Sequence, residues 1–186
     1  MASIKISGDT SGEITISAPA VAGTNTLTLP ANSGEITVGG NNTPFFSVRV
    51  GTTQTGVGDA VVTKIAFDTV DAEQGVTFDT TNYKFTVPSG GAGYYHLNAF
   101  ATAQTSGSTD LSQVYIRPYL NGSASAGFAN FIFSASYSRA ATPHLSRIYN
   151  LSEGDYLEIY GYINSVSTDR QFTAGQCCWT MHKLIT

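Results

Sequence analysis

Apolar and polar residues alternate with a period of two along most of the chain, which is typical of half-buried β-strands. From Pro44 onward the alternating segments are rich in aromatic residues and end at turn sequences such as Asn121-Gly122. No segment between them has the apolar spacing of a helix, so the pattern predicts an all-β sandwich or jelly roll. Pro118 interrupts one segment, and we expect it on an edge strand or at a bulge because it cannot donate a backbone hydrogen bond. The predicted strands cover residues 45–50, 61–67, 76–79, 84–87, 94–103, 113–120, 128–137, 156–163 and 176–185.

Residues 1–42 follow a different pattern. They contain no Phe, Tyr, Trp or Cys, and Gly, Pro and Asn divide them into the short alternating segments 4–6, 13–17 and 26–29. A segment with so few large apolar side chains cannot hold a core of its own, so it must order against the rest of the chain, sister chains or a larger assembly. We therefore predict an anchoring arm over 1–42 and a compact head over 43–186. The predicted anchoring residues of the arm are Ile14, Ile16, Leu27 and Leu29.

Composition and charge narrow the class of protein. Charged residues make up 12% of the chain, about half of the usual ~25%, and ten Phe and ten Tyr supply a core, which argues against disorder and against a coiled coil. The net charge is −4 and the basic residues are scattered, so we expect no nucleic-acid binding. No apolar run approaches the ~20 residues of a membrane-spanning helix, and the first residues lack the apolar stretch of a signal peptide. We expect no membrane insertion.

Cysteine and histidine positions give no sign of a catalytic or metal centre. Cys177 and Cys178 are adjacent and would point to opposite faces of a strand, so we expect two small apolar side chains and no disulfide. His96, His144 and His182 are far apart and follow no metal-binding spacing. The chain has no Gly-x-Ser-x-Gly motif and no phosphate-binding glycine loop. We therefore predict a protein without enzymatic activity, cofactor or metal.

The segment from Phe67 to Ala99 resembles the C1q-like domain, a relative of the tumour-necrosis-factor (TNF) fold. The resemblance is carried by the spacing of Phe67, Phe78 and Phe85, by the sequence from Phe78 to Pro88, and by Gly93 and Tyr95, with a two-residue insertion before Gly93. Glu73, Leu97 and Ala99 depart from the residues that the family prefers. The likeness extends over residues 44–186. It implies a jelly roll that assembles as a homotrimer, with its first and last strands near the three-fold axis.

The aromatic residues of the head fall into two groups. The first group is expected in the core or at the trimer axis, and the segment 128–133 is expected to be buried in the sandwich or against a sister chain because it is too apolar for an open edge. Tyr137, Tyr160 and Tyr162 are candidates for an exposed binding surface. The first group consists of Phe45, Phe46, Phe67, Phe85, Tyr95, Phe131 and Trp179.

Carboxylates leave two further alternatives open. Some C1q-like heads hold calcium, and Asp110 and Asp169 lie in predicted loops where they could supply oxygen ligands. Glu153, Asp155 and Glu158 are close in sequence, and a carbohydrate-active depolymerase needs two facing carboxylates. The interpretation we favour for both sets is solvated loop and strand-edge carboxylates.

The arm is similar to N-terminal segments of tailed-phage structural proteins, especially marine phage fibres, over residues 14–30. Arm and head together imply a non-enzymatic, trimeric phage virion protein, either a capsid decoration protein or a short fibre. The arm would bind other virion proteins of the capsid or tail, and the head would be exposed to a host-surface glycan or protein. A bacterial C1q-like lectin or adhesin is the main alternative, and the depolymerase is a third.

Overall fold

A computed structural model of the chain describes residues 3–7, 11–17, 23–24, 42–105, 110–133 and 138–184. All regular elements in these residues are β-strands. The chain divides into two compact units, Met1–Val38 and Gly39–Thr186. The division lies close to the predicted end of the arm at residue 42, and the boundary between arm and head stays a prediction.

The first unit contains a two-stranded antiparallel hairpin of β1 (Ser3–Ser7) and β2 (Glu13–Ser17). Both strands were predicted from their alternating isoleucines. The register sets Ile4 opposite Ile16 and Ile6 opposite Ile14. Ile6 and Ile16 are 53% and 50% exposed, so the hairpin leaves apolar surface uncovered. The other two predicted anchoring residues, Leu27 and Leu29, lie outside the described residues.

The head is built from two antiparallel sheets. Sheet I consists of β3 (Phe45–Arg49), β5 (Thr69–Gln74), β7 (Gly93–Thr105), β11 (Ala140–Ala141), β12 (His144–Leu151) and β14 (Arg170–Lys183). In sheet I, β7 pairs with β11 and β12 on one side and with β14 on the other, and β3 and β5 follow β14. The first and last strands of the head, β3 and β14, are therefore neighbours.

Sheet II consists of β4 (Thr63–Lys64), β6 (Lys84–Thr86), β8 (Leu111–Leu120), β9 (Ser123–Ala124), β10 (Ala129–Ile132) and β13 (Tyr156–Ser165). The paired strands β8 and β13 form its centre, with β9 and β10 beside β8 and with β4 and β6 beside β13. Gly161 in β13 allows the two sheets to approach, because a Cβ at this position would lie 2.3 Å from the ring of Phe172 in sheet I.

The core lies between the two sheets and is dominated by aromatic rings. Trp179 is its centre, with ring centroids 5.0 Å from Phe46, 5.8 Å from Phe67 and 5.4 Å from Phe78. Tyr95 is also fully buried and donates a hydrogen bond from its hydroxyl to the Gly91 carbonyl at 2.6 Å. Alternate residues of β3, β7, β8, β13 and β14 point into this core, as the period of two predicted.

Two sequence predictions about the head are corrected, and a third is narrowed. Residues 76–79 form a loop and not a strand, because the Glu73 carboxylate accepts the backbone N–H of Phe78 at 2.8 Å and closes a turn there. Pro118 lies in the interior strand β8, between the residues that pair with β9 and those that pair with β10. Phe131 was expected in the core or at the trimer axis, and it is 44% exposed because β10 pairs with β8 alone among the described strands. The ring therefore lies outside the core of the single head, and its place at the trimer axis stays a prediction.

Candidate interaction faces of the head

The outer side of sheet I carries all three histidines of the chain. They lie on three different strands, and the burial pattern points each side chain away from the core. We call this surface the histidine face. Its members are Phe45, Ser47, Arg49, Tyr94, His96, Asn98, Phe100, His144, Ser146, Ile148, Asn150, Cys178, Thr180 and His182.

Strand register brings two of the three histidines together and places the third on the same face. His96 and His182 are directly opposite each other on β7 and β14, with ring centroids 5.3 Å apart. His96 Nε2 is 2.8 Å from Ser146 Oγ, and His144 Nε2 donates to the side-chain oxygen of Asn98 at 2.7 Å. Burial lowers the pKa of His182 below its usual value, and the neighbouring His96 adds to this effect.

The histidine face also exposes apolar side chains. Ile148 is 57% exposed, Tyr94 is similarly open, and Phe45 and Phe100 are half-buried. A shallow cavity of about 310 Å³ lies where the first and last strands of the head meet, and Phe45, Thr180 and His182 are among its lining residues. Apolar groups that stay uncovered on one continuous sheet face are typical of a protein–protein contact.

A second apolar surface lies at the open edge of the sandwich, beside β10. Phe128, Phe131 and Ile132 are exposed there, and Ile132 is the most exposed of the three at 75%. A cavity of about 280 Å³ separates β10 from β12 and is lined by Pro118, Phe128 and Leu145, among others. We call Phe128, Phe131 and Ile132 the apolar edge. A sheet edge with large exposed apolar side chains is open to pairing with another chain.

The outer side of sheet II carries a stack of tyrosines, which we call the tyrosine face. Tyr115 stacks on Tyr162 with centroids 4.7 Å apart and planes 5° from parallel, and Tyr119 contacts Tyr160 at 4.1 Å. Lys64 forms an ion pair with the buried carboxylate of Glu158 and lies 5.7 Å from the centre of the Tyr160 ring. Burial raises the pKa of Tyr115 and of Tyr160.

The tyrosine face revises the expectation for the candidate binding tyrosines. Tyr160 and Tyr162 lie on the outer side of the sheet, but each is half-buried against a neighbouring ring. Their flat surfaces are therefore largely used within the chain. The third candidate, Tyr137, lies outside the described residues.

The carboxylates proposed for a depolymerase hold three separate contacts. Glu153 accepts the backbone N–H of Gly90 at 2.9 Å, and this hydrogen bond lowers the pKa of Glu153. Asp155 accepts from the Asn121 side chain and from the backbone of Ser152, both at 2.8 Å. Glu158 pairs with Lys64 on the tyrosine face. The three side chains therefore stabilise turns and strands and do not form a facing pair.

Asp110 and Asp169, the candidate calcium ligands, lie close to one loop at the end of β13. Asp110 accepts from the Ser165 hydroxyl at 2.8 Å, and Asp169 accepts from Ser167. The Arg170 guanidinium donates to the Ser165 carbonyl at 3.1 Å beside them. Within the described part of the chain, no group of three or more His, Cys, Asp or Glu side chains is arranged to hold a metal ion.

The two cysteines are free, and Cys177 is completely buried. Burial raises the pKa of the Cys177 thiol to about 12, and burial also raises the pKa of the half-buried Cys178. Both groups are thiols at neutral pH, which makes them poor nucleophiles. The described segments contain no helix that is long and apolar enough to span a membrane.

Sequence reasoning missed the contact between His96 and His182 and the position of His144 on the same face. The missing information was the register between strands. Because β12 was not predicted as a strand, its pairing with β7, which places Ser146 beside His96 and His144 beside Asn98, could not be foreseen. A search for histidines at alternate, outward positions of predicted strands would have found two of the three, His96 and His182.

No protein-family model and no curated protein matches the chain. Among solved structures, it is similar to the globular domain of zebrafish complement 1qA protein, with a TM-score of 0.54 and 13% identity over 76% of this chain and 98% of that chain. It is also similar to the Eiger TNF of S. frugiperda, with a TM-score of 0.53 and 11% identity over 76% of this chain and 94% of that chain. The prediction of an all-β jelly roll is confirmed: the chain contains a domain with the fold of C1q and TNF globular domains.

Proposed function

We propose that the chain is a non-enzymatic, homotrimeric structural protein of a phage virion, either a capsid decoration protein or a short fibre. In this proposal the arm anchors the protein to the capsid or tail, and the head faces outward to a host-surface glycan or protein. The observation that carries the proposal is that each unit leaves apolar surface exposed. The core of the head is complete, whereas the histidine face, the apolar edge and the arm hairpin are uncovered.

The homotrimer is supported by two apolar surfaces of different shape on one head. The histidine face is a broad sheet surface, and the apolar edge is a narrow row of large side chains. A contact between two different patches is heterologous, and it closes into a ring when the rotation between copies allows it. The resemblance to C1q-like domains implies a ring of three, with β3 and β14 near the axis. Those two strands lie side by side in the histidine face.

Anchoring by the arm is supported by the composition of its hairpin. Two strands without further cover are marginally stable in water, and Ile6 and Ile16 are half exposed. Pairing with a strand edge of another virion protein would supply hydrogen bonds and cover these side chains. The resemblance of residues 14–30 to phage structural proteins makes a virion the proposed location.

The test compares the full chain with residues 41–186, each by light scattering. We expect three times the 19.6 kDa of the full chain, and a trimer for the truncated head as well. In the phage that encodes the protein, deletion of residues 1–40 should leave a folded trimeric head that is absent from purified particles. A monomeric head would contradict the trimer, and normal incorporation of the deletion variant would contradict anchoring by the arm.

A further inference from the structure

Histidine, the side chain that changes charge nearest to neutral pH, occurs three times in the chain and only on the histidine face. His96 and His182 form the closest pair. The register opposes them directly across β7 and β14, which keeps their Cβ atoms close together, and their ring centroids are 5.3 Å apart. Two positive charges at this separation repel each other, and the repulsion grows when a partner excludes water.

We propose that His96 and His182 make assembly of the head pH-dependent, so that protonation of this pair in each copy opens the homotrimer. The inference rests on the proposed homotrimer and adds to it the regulation of the same surface. A second copy can cover the pair while it is uncharged, whereas a buried contact over two adjacent cations is disfavoured.

Within the described strands of sheet I, no carboxylate contacts the pair directly. The strands of sheet I carry only two carboxylates, Asp71 and Glu73, and both are on the edge strand β5. Asp71 pairs with Arg49, and Glu73 accepts the backbone N–H of Phe78. The other ionisable side chains on these strands are Arg49, Arg147, Arg170, Lys183, His144, Tyr94, Tyr95, Tyr149, Cys177 and Cys178.

His144 differs from the pair in its neighbours. Its Nε2–H donates to the Asn98 side-chain oxygen. Its nearest ring is Phe100, at 6.4 Å, and not another imidazole. Protonation of His144 therefore creates no pair of adjacent cations, which restricts the proposed switch to His96 and His182.

The direction of the effect follows from proton linkage. Packing of a second copy over the pair desolvates it further, and desolvation lowers a histidine pKa. Because the pKa of His182 is already lowered in the single chain, the separated chains bind more protons than the trimer does as the pH falls below about 6.5, and the trimer loses stability there. Each proton that is taken up on dissociation changes the equilibrium by about tenfold per pH unit.

The experiment measures the mass distribution of the full chain by sedimentation at about pH 7.5 and about pH 5.5, a window that leaves ordinary carboxylates ionised. We expect a trimer at the higher pH and at least about tenfold weaker association at the lower pH. The double variant His96→Gln and His182→Gln should remain trimeric at both. The matched control is Thr86→His, which adds a histidine at an exposed position of sheet II and should behave as the wild type.

Two outcomes overturn the switch alone: equal association of the wild type at both pH values, or unchanged pH dependence in the double variant. A monomer at the higher pH overturns the homotrimer itself and with it the switch, so the two failures are distinguishable. Should the double variant fail to fold, NMR titration of the wild type decides. We expect a higher pKa for His182 in dilute, dissociated samples than in trimeric ones, and equal values overturn the switch.

Discussion

The two sheets of the head share one core, yet their outer faces are built in different ways. On the tyrosine face the side chains satisfy one another, through ring stacking and the Lys64–Glu158 ion pair. On the histidine face Tyr94 and Ile148 stay exposed, and polar side chains form separate hydrogen-bonded pairs such as His96 with Ser146. Covering a surface whose side chains already contact one another releases little free energy. Covering a surface with exposed apolar side chains releases more, because that apolar area is removed from water. The comparison favours the histidine face as the contact between copies.

Cross-strand pairing explains how the difference arises. In β8 and β13 the register sets Tyr115 opposite Tyr162, so two large flat rings meet. In β7 and β14 the outward residues opposite each other include Asn98 with Thr180, whose side chains are too small to cover their neighbours. Both sheets have the same antiparallel geometry. The residue types at opposed positions therefore decide whether the outward side chains of a face cover one another within the chain.

The largest effect is expected for a charge placed on the histidine face. Ile148→Lys should leave the head folded, because this side chain is more exposed than buried in the single chain. A second copy would have to desolvate the ammonium group, so association should weaken at least about a hundredfold, about 3 kcal/mol. Sedimentation measures the change. Val166→Lys, at a position that is 87% exposed in a loop of the same head, is the control and should stay trimeric. Equal behaviour of the two variants would remove the histidine face from the contact.

A smaller effect is expected when the ion pair of the tyrosine face is broken. Lys64→Met removes the cation from the Glu158 carboxylate, which is only 6% exposed and is then left without its charge partner. We expect a loss of about 1–3 kcal/mol in the free energy of unfolding, with the trimer retained at 25 °C. The double variant that also carries Glu158→Gln should recover part of the loss. Denaturant unfolding measures both, and an unchanged midpoint for Lys64→Met would show that the pair contributes nothing.

The strands that could be predicted from sequence are those whose apolar residues alternate cleanly. β3, β7, β8, β13 and β14 have this pattern because one side of each faces the core. β5 was missed because its last four residues are polar or small and exposed. β12 was missed because Ile148 points outward and interrupts the alternation of Leu145, Tyr149 and Leu151.

The candidate faces were less accessible to sequence reasoning than the strands. Tyr160 and Tyr162 were identified as surface residues, but their stacking depends on Tyr119 and Tyr115, about forty residues earlier in the chain. The histidine pair joins residues 96 and 182, and only the register between β7 and β14 brings them together. Alternation within one segment determines which side chains point outward. It does not determine which outward side chains of two segments meet.

The smallest predicted effect tests whether ring stacking on the tyrosine face stabilises the fold. Tyr162→Leu removes one ring of the stacked pair, which should lower the free energy of unfolding by about 0.5–1.5 kcal/mol. Tyr94→Leu is the matched change on the histidine face, where no stacking partner is found for Tyr94 among the described residues, and the effect there should stay within about 0.5 kcal/mol. Denaturant unfolding at a concentration where the head is monomeric separates folding from association.

A double-mutant cycle with Tyr115→Leu isolates the ring contact, because only a direct interaction makes the two changes non-additive. Equal losses for Tyr162→Leu and Tyr94→Leu, with an additive cycle, would mean that the rings are merely neighbours and that the contrast between the two faces lies in the ion pair alone.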